Sequence, residues 1–533
     1  MTLRFLTAVS VAALSAGSVQ AEMVLHVLHT NDVHSRVEPI NAYDSTCDAE
    51  TLAANECFGG VARIASKIKE LRSQIRAEGG NVIVLDAGDQ YQGSLFYTTY
   101  KGEEVVEFMS ATGYDAMVVG NHEFDDGPEG LARLASGVEF PVTAGNIDVS
   151  QSNILRDVIA NSVTLEINGE KIGIVSALAT DTPELAAPGP NIIFSDDIDS
   201  LKGDVQELTE AGVDKIIALN HVGYRRDQQI AAQVPGLDAV IGGHSHTLLG
   251  DMDGAEGPYP TMVAGPDGTE VPVAQAYSYS KYLGHLVLTF DDDGKLISAE
   301  GQPILLDASV AEDETLAARI EEMAAPIDEL RQKVVAETAA PIDGDRANCR
   351  VRECEMGNLV AEAMLDRVRD QGISIAIANG GGLRASIDQG PVSMGEVYTV
   401  LPFQNTLATF QLTGADVVAA LENGASQIEE IAGRFAQVAG LKYTVDPAAA
   451  AGSRISEVMV QVEGEWVAID PAATYGVVSN NYMRGGGDGY AVFATNAKNA
   501  YDFGPDLAEV LAEYLAGQGP GFTPVLDGRI TVK

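Results

Sequence analysis

Short apolar runs recur through the first half of the chain, and five of them end directly in residue types that bind metals or transfer protons. Runs of this length, several of them rich in β-branched residues, are typical of strands buried on both faces. They cover residues 24–28 (with His26 inserted), 82–85, 116–119, 216–219 and 239–241. Because ligands bind at the carboxyl ends of strands in open α/β sheets, we expect the polar segments after these runs to converge on one crevice.

The polar segments carry a set of side chains that suits a metal centre. Asp and neutral His bind borderline divalent metals, and Asn can add a carbonyl oxygen. Each residue alone is more typical of a capped turn or a core histidine, but five of the eight histidines of the chain lie at these run ends. The spacings single out Asp32, His34, Asp89, His244 and His246 as candidate ligands. The paired spacings 32/34 and 244/246 are expected on extended segments, where both side chains point to one side.

The pattern also predicts the organisation of the chain, which at 533 residues is too long for one hydrophobic core. Helix-like stretches alternate with the apolar runs, and the clearest helix covers 61–77. From 309 to about 335 the sequence has the pattern of a long charged helix, in which we expect Pro326 to cause a break or kink. We predict an α/β domain over 22–308, a helical linker over 309–339 and a second α/β domain over 340–533.

The first 21 residues have the pattern of a secretory signal peptide. Arg4 supplies the positive charge, residues 5–16 the apolar stretch, and Val19-Gln20-Ala21 the small-residue cleavage site. A cysteine does not follow that site, later apolar runs are shorter than a membrane span, and the C-terminus lacks a hydrophobic tail. We therefore expect a periplasmic or secreted protein without a stable membrane anchor.

Charge and cysteine content narrow the function further. The formal net charge is −44, from 33 basic and 77 acidic residues, which argues against polynucleotide binding. An anionic substrate would be repelled at long range, so a site for one must supply its own cations. The four cysteines form two close pairs, which predicts disulfides Cys47–Cys57 and Cys349–Cys354 in an exported chain. A cysteine zinc site is the alternative, but CxxC spacing is missing.

Taken together, these segments resemble the calcineurin-like metallophosphoesterases, and more closely the exported 5′-nucleotidase/UDP-sugar hydrolase family. The resemblance implies a four-layer αββα sandwich that holds two metals, followed by a substrate-binding domain. It implies one metal held by Asp32, His34, Asp89 and His246, and another held by Asp89, Asn121, His221 and His244. Asp89 would bridge the two. Several relatives carry Gln or Asn in place of His246, which leaves the metal preference open. A site of Asp, Asn and His ligands admits zinc, manganese and cobalt.

The resemblance also implies catalytic roles for His122 and Asp125. In the family this histidine stabilises the transition state or protonates the leaving group, and the aspartate orients its ring. Two divalent ions about 3.5–4 Å apart lower the pKa of a shared water and hold the phosphoryl oxygens during in-line attack. A hairpin with incidental polar residues is the alternative interpretation of this segment.

The second half of the chain carries a candidate nucleotide pocket. Glycines in the loop 379–384 permit close approach, and an arginine fork suits phosphate. Similarity to the family implies that Phe403 and Tyr482 sandwich the nucleobase and that Asp488 binds the ribose. Residue Arg350 lies in the small cysteine loop. The candidate substrate residues are Arg350, Asn379, Gly381, Arg384, Phe403, Tyr482 and Asp488.

The sequence therefore predicts an exported metal-dependent hydrolase of nucleotide phosphate esters, a 5′-nucleotidase for which UDP-sugars are a further candidate substrate. A 2′,3′-cyclic-nucleotide phosphodiesterase/3′-nucleotidase or a sulfur-ester hydrolase of the same superfamily is the nearest alternative. A noncatalytic nucleotide-binding surface protein is the alternative of another class. The sequence does not indicate base preference or oligomeric state.

Overall fold

The computed structural model describes residues 23–42, 44, 47, 49–266, 268–462, 464–502, 504–519 and 521–533. The predicted signal peptide, residues 1–21, lies outside this described part. The first half contains the strands β1 Met23–Thr30, β2 Asn81–Asp86, β3 Ala116–Val118, β4 Val142–Thr143, β5 Ile147–Asp148, β6 Ser162–Ile167, β7 Glu170–Leu178, β8 Ile193–Phe194, β9 Ile216–His221, β10 Ala239–Ile241, β11 Thr261–Ala264, β12 Glu270–Ala274, β13 Tyr282–Phe290 and β14 Leu296–Leu305. Its helices are α1 Ala49–Ala54, α2 Val61–Ala77, α3 Leu95–Tyr100, α4 Glu103–Thr112, α5 Gly127–Gly137, α6 Thr182–Leu185, α7 Asp197–Glu210 and α8 Tyr224–Gln233.

Two six-stranded sheets stack face to face in this half. The first sheet has the order β14-β13-β1-β2-β3-β4, and the second has the order β11-β12-β10-β9-β7-β6. Residues such as Leu25 and Ile83 of the first sheet pack against Ile174 and Ile217 of the second. Helices cover the outer faces, with α2 and α4 on the first sheet and α7 and α8 on the second. The predicted four-layer αββα sandwich is confirmed.

A single helix, α9 (Glu314–Arg331), follows the sandwich. It is shorter than the predicted helix over 309–335, and Pro326 lies inside it without interrupting it. An interior proline costs about 3 kcal/mol through its missing N–H. Here Ile320, Met323 and Ile327 pack into a shared core with helices α2 and α4, so tertiary burial outweighs that loss.

The second half continues with the strands β15 Val334–Thr338, β16 Ile375–Asn379, β17 Gly390–Ser393, β18 Leu407–Thr413, β19 Ala436–Ala439, β20 Leu441–Val445, β21 Ile455–Val462, β22 Glu465–Ala468, β23 Thr474–Asn480, β24 Lys498–Tyr501 and β25 Ile530–Val532. Its helices are α10 Arg346–Cys349, α11 Glu355–Val368, α12 Met394–Val400, α13 Gly414–Ala425, α14 Asn481–Arg484, α15 Ala491–Asn496 and α16 Leu507–Gln518. Short 3₁₀ helices cover His122–Phe124, Arg369–Gln371, Gly380–Gly382, Ile428–Glu430 and Gly487–Gly489.

The central sheet of this half has the order β19-β16-β23-β18-β24. Helices α11 and α16 cover one face of it, while α13 and a four-stranded sheet, β22-β21-β20-β25, cover the other. Strand β15 lies within the predicted linker but pairs with β17. The predicted domain boundaries stay a prediction.

Both predicted disulfides are present, Cys47–Cys57 and Cys349–Cys354. Within the described parts of the chain, no helix has the length and apolarity needed to cross a membrane.

Candidate active site

The five predicted strand ends meet at one edge of the sandwich, although they come from two sheets. Strands β1, β2 and β3 are parallel neighbours in the first sheet, and β9 and β10 are parallel neighbours in the second. The expectation of extended segments at 32–34 and 244–246 is wrong. The backbone is instead in the left-handed region, with φ between 51° and 75°, at Asp32, His34, His244 and His246. These conformations turn the chain back at each strand end, so that the side chains converge.

A first group of possible metal ligands consists of Asp32, His34 and His246, all buried. The His34 and His246 Nε2 atoms lie 3.1 Å apart, and His246 Nε2 lies 3.3 Å from Asp32 Oδ1. The Nδ1 atom of His34 faces the carbonyl oxygens of Tyr91 and Gln92 at 3.2 and 3.1 Å. Because carbonyls only accept, Nδ1 carries the proton, and Nε2 offers its lone pair to the group.

A second group consists of Asp89, His221 and His244. The Asp89 Oδ2 atom lies 3.1 Å from His221 Nε2 and 3.7 Å from His34 Nε2, so this carboxylate stands between the two groups. Its neighbour Asn121 places Oδ1 2.9 Å from His244 Nδ1. All seven side chains predicted as ligands are therefore brought together.

The electrostatics of the two groups favour bound cations. Burial lowers the pKa of His221, but the Asp89 and Asp32 carboxylates outweigh it and raise this pKa to about 10. His221 Nδ1 donates to the Ala87 carbonyl at 2.6 Å, while the buried Nε2 lies 3.1 Å from Asp89 Oδ2. An imidazole nitrogen that faces a carboxylate in a buried, negative site is the arrangement expected of co-ligands of a metal, because a bound cation takes the place of the proton between them. The donor set fits borderline divalent ions.

His122 and Asp125 form a hydrogen-bonded pair beside these groups. The Nδ1 atom of His122 lies 2.7 Å from Asp125 Oδ2, which also accepts from Gln92 Nε2 at 3.1 Å. Burial lowers the pKa of His122, but the Asp125 and Asp89 carboxylates outweigh it, and the net shift is upward. The pair can therefore hold a proton at His122 Nε2.

The candidate substrate residues of the second half face the same space. Asn379 Nδ2 donates to Asp488 Oδ2 at 2.6 Å, and Asp488 Oδ1 accepts from the Tyr482 hydroxyl at 3.2 Å. Asn379 is the last residue of β16, and in the turn that follows the Gly381 N–H donates to the Gly433 carbonyl at 2.8 Å. Asn379, Tyr482 and Asp488 therefore form one connected wall.

Two further side chains of the second half, Arg384 and Phe403, contact histidines of the first half. The Nη2 atom of Arg384 lies 3.0 Å from His34 Nε2, and the ring centres of Phe403 and His122 lie 5.6 Å apart. The guanidinium of Arg384 also lies 5.5 Å from the centre of the Phe403 ring. A cavity of about 1310 Å³ runs between the two halves, and His122, Arg384, Phe403 and Tyr482 all line it.

Sequence reasoning missed Arg346, which lines the same cavity as Arg350 and Arg384. Burial lowers the pKa of Arg350 well below its usual range, with Arg346 and Arg384 adding to the shift. The Nη1 atom of Arg346 is buried and has no hydrogen-bond partner among the residues that the structure describes. Three crowded cations suit an anionic ligand. The i, i+4 spacing of Arg346 and Arg350 was the available signal.

Comparison with known proteins identifies both halves. Residues 25–248 match the calcineurin-like phosphoesterase family, and residues 334–495 match the 5′-nucleotidase, C-terminal domain. The chain is 38% identical to a 5′-nucleotidase of Mus musculus over 95% of its own length and 90% of the relative. It is 36% identical to a snake venom 5′-nucleotidase of Gloydius brevicauda over 99% of its length and 90% of the relative.

A solved structure has the same architecture over almost its full length. The crystal structure of a 5′-nucleotidase precursor from Thermus thermophilus superposes with a TM-score of 0.90 at 40% identity, covering 96% of this chain and 99% of that one. The resemblance inferred from the motifs is confirmed.

Proposed function

The chain belongs to the 5′-nucleotidase family of calcineurin-like phosphoesterases, and from this premise we propose that it hydrolyses nucleoside 5′-monophosphates with two bound divalent cations. One observation carries the proposal: the wall formed by Asn379, Tyr482 and Asp488 lines the same cavity as the metal-ligand groups. At this junction Arg384 contacts His34 and Phe403 contacts His122. A phosphate held at this junction would have its nucleoside on one side and the reactive groups on the other.

Seven side chains would hold the two cations. Asp32, His34, Asp89 and His246 would hold one, Asp89, Asn121, His221 and His244 would hold the other, and Asp89 would bridge them. When bound, the cations lower the pKa of a shared water and neutralise phosphoryl charge. Zinc, manganese and cobalt all fit this donor set.

His122 acts in the proposal as the proton donor to the leaving ribose 5′-oxygen. Its Nδ1 hydrogen bond to Asp125 leaves Nε2 directed at the cavity. The Asp125 and Asp89 carboxylates raise the pKa of His122, and this shift favours the protonated ring that a general acid needs. Asp125 orients the ring through the hydrogen bond to Nδ1, and Gln92 donates in turn to Asp125.

The three arginines would bind the phosphate, since the chain as a whole repels anions. Arg346, Arg350 and Arg384 supply local positive charge in a protein of net charge −44. Phe403 and Tyr482 would stack on the base, and Asp488 with Asn379 would bind the ribose hydroxyls. Stacking tolerates several bases and is worth about 1–3 kcal/mol per base.

We also place the mature protein outside the cytoplasm. The predicted signal peptide and the two disulfides support this location, because disulfides persist in oxidising compartments.

The test is phosphate release by the purified mature chain. AMP, 3′-AMP and 2′,3′-cyclic AMP are compared after chelation and after zinc, manganese or cobalt is added back. Release from AMP alone, dependent on added metal, is expected. Release only from the cyclic or 3′ substrates would redirect the function to the cyclic phosphodiesterase/3′-nucleotidase alternative. Stoichiometric metal and nucleotide binding without any turnover would favour a noncatalytic binding protein.

A further inference from the structure

A buried carboxylate that is not itself a candidate ligand lies directly behind the bridging residue. Glu123 is completely buried and accepts four backbone N–H groups. Its Oε2 accepts from Asp89 at 3.0 Å and Gly120 at 2.7 Å, and its Oε1 accepts from Gln90 at 2.8 Å and Tyr91 at 3.1 Å.

These hydrogen bonds tie together two loops that carry candidate ligands. Three of the donors belong to the loop after β2, which presents Asp89, and the fourth belongs to the loop after β3, which presents Asn121. The two loops also meet where His122 N–H donates to Asp89 Oδ1 at 2.8 Å. One side chain is therefore hydrogen-bonded to the loops that follow both β2 and β3.

The Asp89 loop needs such a restraint. Asp89 has φ 56° and Gln92 has φ 64°, both in the left-handed region. A non-glycine residue is disfavoured there by steric contact with its own Cβ, and this conformation persists only when the surroundings hold it. The N–H groups aimed at Glu123 fix this conformation and turn the Asp89 side chain toward the two ligand groups.

We propose that Glu123 is the positioning residue for the bridging carboxylate, so that both metals depend on a side chain that touches neither. The proposal rests on the metal roles in the proposed function. Its carboxylate form matters because both oxygens accept from donors, two each. A glutamine would keep one acceptor oxygen and direct an NH₂ group at two backbone N–H groups.

The experiment compares wild type, Glu123→Gln and Glu422→Gln. Glu422 is a matched control, because this half-buried carboxylate accepts backbone N–H groups of Arg454 and Ile455 at 2.9 Å each, far from the ligand groups. Apo proteins are titrated with Mn²⁺ and with Zn²⁺, and AMP hydrolysis is measured against metal concentration. Circular dichroism and the thermal midpoint report folding.

Glu123→Gln should bind both metals about 10–100-fold more weakly, as expected when a group that orients a ligand is lost. Its kcat should recover in part at high metal concentration, while KM for AMP stays near the wild-type value because the nucleoside residues are untouched. Glu422→Gln should change stability alone. A folded Glu123→Gln protein with wild-type affinity for both metals would overturn the proposal.

A second variant covers the case in which Glu123→Gln does not fold. Glu123→Asp keeps the charge but withdraws it by one methylene, and should show an intermediate loss of metal affinity. If both variants stay unfolded even with saturating metal, Glu123 belongs to the fold and the positioning role is wrong. Failure of wild type to bind metal or cleave AMP would instead count against the proposed function.

Discussion

At the scale of the residue, the site depends on how each ring nitrogen is partnered. Backbone carbonyls accept hydrogen bonds from Nδ1 of His34 and of His221, and these bonds orient both Nε2 atoms toward the metal-ligand groups. In His122 the partner of Nδ1 is instead a carboxylate, Asp125, at 2.7 Å. A carbonyl at Nδ1 orients Nε2 toward a cation, whereas a carboxylate at Nδ1 also stabilises the protonated ring, so similar side chains suit different roles.

The role of His122 can be tested by His122→Ala. We expect kcat for AMP to fall by about 10²–10⁴ while both metals remain bound, because the variant loses a proton donor and not a ligand. Asp125→Asn, which keeps the ring but weakens its orientation, should lose less. The measurements are kcat and metal content per chain. Loss of metal from His122→Ala would contradict the assignment.

A buried carboxyl distant from the ligand groups should make stability depend on pH. Burial raises the pKa of Asp204 to about 6, and Glu207 adds to the rise. Because this folded-state pKa lies above the ordinary value of 3.8, the stabilisation from the protonated form is complete below that value. It is lost as pH rises through about 6.

Asp204→Asn should therefore match wild type in thermal midpoint at about pH 4 and exceed it at about pH 7.5. The gain should be about 1 kcal/mol, below the full shift, because part of the carboxyl reaches solvent. Thermal denaturation at a series of pH values measures it, with Asp292→Asn in an exposed turn as the control. Equal midpoints at all pH values would show that the pKa of Asp204 is not raised in the folded protein.

At the scale of the element, packing decides more than local preference. Helix α9 accommodates Pro326 because its apolar face is buried against α2 and α4. The Cys349–Cys354 disulfide closes the short loop that follows helix α10. Arg350 lies in this loop and lines the cavity. Short elements thus become rigid supports through contacts beyond their own residues.

Phe403, on the loop after α12, and Tyr482, in α14, should act on the base and not on the phosphate. Phe403→Ala and Tyr482→Ala are each expected to raise KM for AMP about 5–150-fold, the equivalent of losing 1–3 kcal/mol of stacking. KM for p-nitrophenyl phosphate should change little, because it has no nucleobase. Equal losses on both substrates would contradict base stacking.

At the scale of the whole molecule, the proposed metals join the two sheets of the sandwich. Asp32, Asp89 and Asn121 follow strands of the first sheet, whereas His221, His244 and His246 belong to the second. Cations held between them act as a cross-link in addition to the apolar contacts between the sheets.

Chelation should therefore lower the thermal midpoint of wild type. Metal present at 100 to 1,000 times its Kd is worth about 3–4 kcal/mol. Asp89→Asn should weaken both metals together, and its midpoint should respond little to chelator. Differential scanning fluorimetry with and without chelator, alongside metal content, measures both effects. Retention of both metals and of activity in Asp89→Asn would rule out the bridging role.

The sequence by itself determined the local features. The predicted helix 61–77 and the strand at 239–241 agree with the structure to the residue, and the other four runs lie in or overlap β1, β2, β3 and β9. The spacing of apolar positions and the polar residue types that follow them are properties of neighbouring residues. This is why strand ends, candidate ligands and cysteine pairs could be predicted.

Only the tertiary structure decided how distant segments meet. It brought strand ends from two sheets to one edge, placed Arg384 against His34 some 350 positions away, and added Arg346 and Glu123 to the site. It also selected left-handed backbone at the ligands, where an extended segment was expected, and kept α9 continuous through Pro326. These outcomes depend on burial and hydrogen bonds between segments remote in sequence, and local patterns carry no information about such distances.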